Sequence, residues 1–147
     1  MKILIVDDTH IMRVIVKDIF VKHLNVNKND CFEAPDGRTA INQYKAIEPD
    51  LVFLDINLPD LNGIEVVKEL KKINGSAKIV MCTSSGDEED VRGCISAGAG
   101  DYLVKPVKPE RVINAVKKLM GSSFAVGGAD DGGADSAGDS AADSDNQ

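Results

Sequence analysis

No stretch of this 147-residue sequence approaches the roughly 18 consecutive apolar residues that a membrane-spanning helix needs. The start, Met1-Lys2-Ile3-Leu4-Ile5-Val6-Asp7-Asp8, meets acid too early for a secretory signal. Three cysteines, Cys31, Cys82 and Cys94, are an odd number, lie far apart and form no CxxC pair. A disulfide scaffold is therefore excluded, and reduced thiols in a cytoplasmic protein are expected. The two histidines, His10 and His23, have no further His or Cys close in sequence, which argues against a zinc site. There is no GxxxxGK[ST] loop, so a nucleotide hydrolase is disfavoured. Nor is there an excess of positive charge: 17 Lys and Arg stand against 24 Asp and Glu, a formal net charge of -7. Phosphate binding needs Lys and Arg gathered on one face, so neither nucleic acid nor an anionic membrane is expected as the main partner.

The negative charge is unevenly spread. Residues 121–147 hold six Asp and no Lys or Arg, so six of the seven net charges lie there and residues 1–120 carry only -1. That terminal stretch is built from Gly, Ala, Ser and Asp, with Phe124 and Val126 its only bulky apolar residues. Such a segment buries too little surface to offset its ordering entropy and is expected to be disordered. The reading is one folded domain over 1–120 and an acidic tail over 121–147. A chain of that folded length buries roughly two thirds of its unfolded surface, enough for a single core.

Within 1–120 two hydrophobic patterns alternate, with no internal repeat. Short continuous apolar runs are Ile3–Val6, Leu51–Leu54, Ile79–Cys82 and Tyr102–Val104, with a weaker one around Cys31-Phe32. Between them lie stretches of helical spacing. Ile11, Val14, Ile15 and Ile19 share one face; so do Val66, Leu70 and Ile73, then Val91, Cys94 and Ile95, then Val112, Ala115, Val116 and Leu119. The stretch 37–47 is a fainter helix carrying Ile41 and Tyr44. Strands apolar throughout are covered on both faces, as in a parallel sheet flanked by helices. Five strands, each followed by a helix, make an α/β, (βα)5 doubly wound domain with right-handed crossovers.

In such a sheet, ligands bind beyond the carboxyl ends of the strands. The first run ends in Asp7-Asp8, the third in Asp55, the fourth in Thr83 and the fifth in Lys105-Pro106. Each residue alone has a plain reading. Asp8 or Thr9 could cap a helix, Asp55 could belong to turn chemistry, Thr83 could cap the helix beginning near Gly86, and Lys105 could be a solvated charge. Their joint delivery to one sheet edge favours a site. Crowded carboxylates repel unless a cation offsets them, and a hard divalent ion with oxygen ligands does so. A single Asp can also accept a phosphoryl group, a transfer that needs mainly positioning and charge neutralisation.

Residues 1–120 resemble a response-regulator receiver domain of the stand-alone chemotaxis type. The resemblance is carried by Asp7-Asp8, the run Asp55-Ile56-Asn57-Leu58-Pro59-Asp60-Leu61-Asn62-Gly63, Thr83, Tyr102 and Lys105-Pro106. It implies a flavodoxin-like, five-stranded parallel sheet in the order 2-1-3-4-5. It implies that Asp55 accepts a phosphoryl group from a phosphohistidine on a sensor histidine kinase. Mg2+ would be held by Asp8, Asp55 and the backbone carbonyl of Asn57, with Asp7 acting through a water. Lys105 would pair with the acceptor or its phosphate, Thr83 would turn its hydroxyl onto the phosphoryl oxygen, and Tyr102 would move inward behind it. The Lys105-Pro106 bond is a candidate for cis. Asn57 and Ser85 occupy positions that tune phosphoryl lifetime in the family.

The output surface would be residues 86–120, acting as a monomer on a protein partner such as a motor switch component. A phosphorelay intermediate that passes the group to a histidine phosphotransfer protein is an alternative. So is the receiver of a larger regulator lacking its effector domain. A substrate-turnover enzyme is disfavoured because related Asp-nucleophile hydrolases place a general acid two residues on, where Asn57 stands. Only self-directed phosphoryl acceptance and autodephosphorylation are expected.

Overall fold

The computed structural model describes residues 1–84 and 88–121. Residues 122–147 of the tail, Ser85 and the expected helix start at Gly86 lie outside them. The elements alternate without exception: β1 (Ile3–Val6), α1 (His10–Leu24), β2 (Cys31–Ala34), α2 (Gly37–Ile47), β3 (Leu51–Asp55), α3 (Gly63–Ile73), β4 (Ile79–Thr83), α4 (Glu88–Ala97), β5 (Asp101–Val104) and α5 (Pro109–Met120). A short 3-10 turn, Lys28–Asp30, precedes β2. All pairings between the five strands are parallel, and the sheet order is β2-β1-β3-β4-β5, as the resemblance implied.

Parallel strands need covering on both sides, and alternation along each strand supplies two cores. Ile3, Ile5, Leu51, Phe53, Val80 and Cys82 face α1 and α5. Leu4, Val6, Val52, Leu54, Ile79 and Met81 face α2, α3 and α4. On the first side Phe20 of α1 meets Phe53 of β3 edge to face, ring centres 6.4 Å apart. Fully burying a side chain of this size is worth about 2–3 kcal/mol. Helix ends follow local chemistry: Asp36 accepts the Thr39 N–H at the start of α2, and Asn62 accepts the Ile64 N–H at the start of α3. Asn25 closes α1 in a left-handed conformation, as does Glu48 for α2.

Three sequence expectations need correction. The face assigned to α1 is largely wrong: Val16, Ile19, Phe20 and Leu24 are buried, whereas Ile11, Val14 and Ile15 are 64, 42 and 39 % exposed. α1 is apolar on more than one side, and the stripe that carries the ring of Phe20 is the one that packs. Ile73 and Ile95 are likewise exposed, with Val67 buried in α3 and Cys94 the residue buried in α4. Finally, β5 is not covered on both faces. Tyr102 and Val104 are exposed because β5 is an edge strand, and only Leu103 turns into the core.

Candidate functional site

β1 and β3 are neighbours in register, so Val6 pairs with Leu54 and the next residue of each strand is a carboxylate. Asp7 and Asp55 are both buried at this edge, while Asp8, one residue further along, is exposed. Asp55 also pairs with Cys82, and Thr83 pairs with Val104, so the ends of β4 and β5 complete the same edge. Thr83 is buried, and its carbonyl accepts the Lys105 N–H at 2.7 Å. The Lys105-Pro106 peptide is cis. Tyr102 stands two residues before the partner of Thr83, on the exposed side of β5.

Lys105 reaches across the sheet edge. Its Nζ donates to Asp7 Oδ2 and to Asp55 Oδ2, each at 3.2 Å. Every polar atom of Asp7 is engaged. Its N–H donates to Ala34 O at 3.1 Å, and its carbonyl accepts from Arg13 Nη1 at 2.6 Å. Its Oδ1 accepts from the Thr9 N–H at 2.9 Å and the Thr9 hydroxyl at 2.8 Å. Asp55 Oδ1 accepts the Asn57 N–H at 3.2 Å.

These contacts separate the two buried carboxyls. Burial pushes Asp7 up, but the two Thr9 hydrogen bonds and the Lys105 charge outweigh it and hold it below the ordinary carboxylate value. For Asp55 burial prevails over Lys105 and the Asn57 N–H, helped by the negative charge of Asp7, and its carboxyl is raised. Lys105 is raised too: burial opposes its charge, but the two carboxylates overcome that. Cys82, in the strand beside them, is pushed up to about 12, chiefly by burial.

Asp7, Asp8 and Asp55 bring carboxylate oxygens within 4.8 Å of one another. The loop 56–62 and Asp8 line an open cleft of about 370 Å3 beside them. Asn57 lies exposed on that loop. The loop is closed by a bridge between Asn57 and Asn62 and by a 2.6 Å hydrogen bond from the Gly63 N–H to Ile56 O. Gly63 sits so close under β3 that a Cβ there would collide with the Asp55 carbonyl oxygen and come 2.6 Å from Ile56 Cα. Asp60 ties the loop to α2, accepting the Gly37 and Arg38 N–H groups at 2.8 and 3.0 Å. The all-oxygen donor set suits a hard dication such as Mg2+, and one ammonium among three carboxylates leaves room for its charge.

Asp7, Asp8, Asp55, Thr83 and Lys105 therefore converge, with Asn57 at the rim and Tyr102 outside. Sequence reasoning missed Arg13, an ordinary helix charge by its spacing. It also took Thr9 as a possible cap, whereas the Thr9 hydroxyl serves Asp7 and makes no cap bond.

Residues 3–117 match the family described as response regulator receiver domain. The chain is 42% identical to the chemotaxis protein CheY of Thermotoga maritima, over 80% of this chain and 96% of that one. It is 42% identical to the chemotaxis protein CheY of Bacillus subtilis, over 81% and 97% respectively. A solved structure, the CheX-CheY-BeF3-Mg+2 complex from Borrelia burgdorferi, contains a chain similar to it with a TM-score of 0.72 and 28% identity, covering 82% of this chain and 90% of that one.

Proposed function

The chain belongs to the response regulator receiver domain family, and from that premise we propose that it is a phosphorylation switch in two-component signalling, with Asp55 as the phosphoacceptor and chemotaxis or motility as the output. One observation carries the reading: Lys105 Nζ lies 3.2 Å from an oxygen of both Asp7 and Asp55, with Asp8 completing the carboxylate cluster. An Asp55 carboxylate oxygen attacks the phosphorus of a phosphohistidine on a sensor kinase. The P–N bond breaks as the P–O bond forms, and the imidazole leaves. Asp8, Asp55 and the Asn57 carbonyl would hold Mg2+, with Asp7 acting through a water. The bound ion would supply charge neutralisation for the transferring phosphoryl oxygens.

The remaining steps belong to the chain. Asp7, held at every polar atom, keeps Lys105 aimed at the acceptor, and the ammonium balances negative charge on the phosphoryl group. Thr83 donates its hydroxyl to a phosphoryl oxygen. Tyr102, exposed on β5, turns toward the space Thr83 vacates, and α4, β5 and α5 carry the change to a partner. The kinase and a motor switch component are the partners this reading names. Similarity to two chemotaxis proteins supports that output.

Acetyl phosphate with Mg2+, followed by peptide mass spectrometry, tests the acceptor. Label on the peptide carrying Asp55, lost in Asp55→Ala, is the expected result; persistent single-site labelling of Asp55→Ala would reject the assignment. Affinity capture with Mg2+ alone and with added beryllofluoride tests the output. Retention of a motor switch component only with beryllofluoride supports it, and recovery of a histidine phosphotransfer protein instead would favour a relay.

A further inference from the structure

From its α1 side the Asp7-Asp8 loop is held at the Asp7 carboxylate by Thr9 and at the Asp7 carbonyl by the guanidinium of Arg13. Arg13 stands in the first turn of α1, its N–H on Thr9 O at 3.3 Å, and its side chain is only 14 % exposed. Nη1 donates to the Asp7 carbonyl at 2.6 Å, and Nε donates to Glu33 Oε1 at 3.0 Å. Glu33 lies on β2 opposite Ile5 of β1, and its second oxygen has Lys17 Nζ at 3.9 Å. The guanidinium thus joins the end of β1, the start of α1 and the middle of β2. Its donors point outward within the guanidinium plane in fixed directions, so one side chain can hold a carbonyl and a carboxylate at once.

The Asp7 carbonyl belongs to the peptide unit that leads into Asp8. Holding its oxygen fixes the plane of that unit, and with it the line of the Asp8 N–Cα bond from which the Asp8 side chain springs. Swinging the plane would break the 2.6 Å bond and strand a largely buried donor. Asp8 itself is exposed at the mouth of the cleft, so its carboxylate depends on the backbone for its aim.

We propose that Arg13 is a positioning residue for the divalent-metal site, acting through the Asp7–Asp8 peptide to aim the Asp8 carboxylate. The inference rests on the reading of Asp8 as a metal ligand. Removing a group that orients a metal ligand typically weakens metal binding by one to two orders of magnitude.

The test is calorimetric titration of the full chain with Mg2+, well below the melting temperature, for Arg13→Met, Arg13→Lys, Asp8→Ala and Ile79→Val. Ile79→Val is a mild core truncation on the other face of the sheet and reports what general loosening does. Arg13→Met should raise the Mg2+ Kd about 10-fold, Arg13→Lys by less, and Ile79→Val by under about 2-fold. An Arg13→Met value within about 2-fold of wild type, or an equal rise in Ile79→Val, overturns the inference. Where Arg13→Met does not fold, Arg13→Lys decides in its place by the same threshold. Asp8→Ala separates the two levels. Loss of binding there with wild-type affinity in Arg13→Met removes the role of Arg13 alone, whereas intact binding in Asp8→Ala removes the metal reading and the inference together.

Discussion

Asp7 and Asp55 share one ammonium yet shift in opposite directions: Lys105 Nζ stands 3.2 Å from an oxygen of each, with Asp7 lowered and Asp55 raised. Burial pushes both carboxyls up. The difference lies in Thr9, which gives Asp7 Oδ1 two hydrogen bonds where Asp55 Oδ1 receives one from Asn57. The carboxylate read as the acceptor is thus the less well compensated of the pair.

Asp55→Asn should stabilise the protein measured without divalent metal at neutral pH. A carboxyl whose folded pKa is raised costs stability as pH climbs from its ordinary value of 3.8 through the folded value, because the unfolded chain ionises more easily. Asn keeps an oxygen for the Asn57 N–H and drops the charge. A gain on the order of 1 kcal/mol would move the melting temperature up by roughly 4 °C in a domain of this size. A lower melting temperature would count against this account of Asp55.

Lys105→Met should do the reverse, leaving Asp7 and Asp55 buried without their shared cation. Stranding buried charge costs about 3–5 kcal/mol, and the 23 % exposure of Lys105 places this case near the bottom of that range. The sign with pH is distinctive. In the wild type the Lys105 contribution is complete below 10.5, its ordinary value, and is lost as pH rises through its raised folded value. The deficit of Lys105→Met should therefore shrink on strong alkalinisation. It should shrink on acidification too, as the carboxylates protonate. Urea melts across pH check both arms, and a deficit constant with pH would contradict them.

Gly63→Ala adds one methyl where the Asp55 carbonyl and Ile56 Cα already stand. Backbone cannot rotate aside as a flexible side chain can. The loss should be about 1–3 kcal/mol. An unchanged urea midpoint would show that the loop shifts freely.

Cys82 should resist thiol reagents. The residue is 1 % exposed and its thiol is pushed up to about 12, so almost no thiolate forms at neutral pH. Labelling followed by mass spectrometry should find it modified only in denaturant, and rapid native labelling would mean that β4 opens easily.

The strand ends were the legible part of the sequence. An apolar run followed at once by Asp, Thr or Lys marks a strand and the side chain it delivers, and Asp7, Asp55, Thr83 and Lys105 converge as read. The helix faces were less legible. In α1 both Ile11-Val14-Ile15 and Val16-Phe20-Leu24 satisfy helical spacing, and only packing against Phe53 chooses between them. The exposure of Tyr102 and Val104 depends on β5 having one neighbour rather than two, which an apolar run does not reveal. Arg13 was invisible for a related reason. Its partners lie six residues back and twenty residues on, and their meeting depends on the pairing of β1 with β2.

The order β2-β1-β3-β4-β5 leaves two strands with an open side, and both are only four residues long. Pro35 follows β2 directly, and Pro106 stands two residues beyond the end of β5. A proline has no N–H to offer, so neither border extends far as a template for a foreign strand. Growth of the sheet by edge pairing, the common route from soluble β-structure to aggregate, is curtailed at both margins. With strand addition curtailed, what the fold offers for contact is its helices, its loops and the outward face of β5, where Tyr102 and Val104 are exposed.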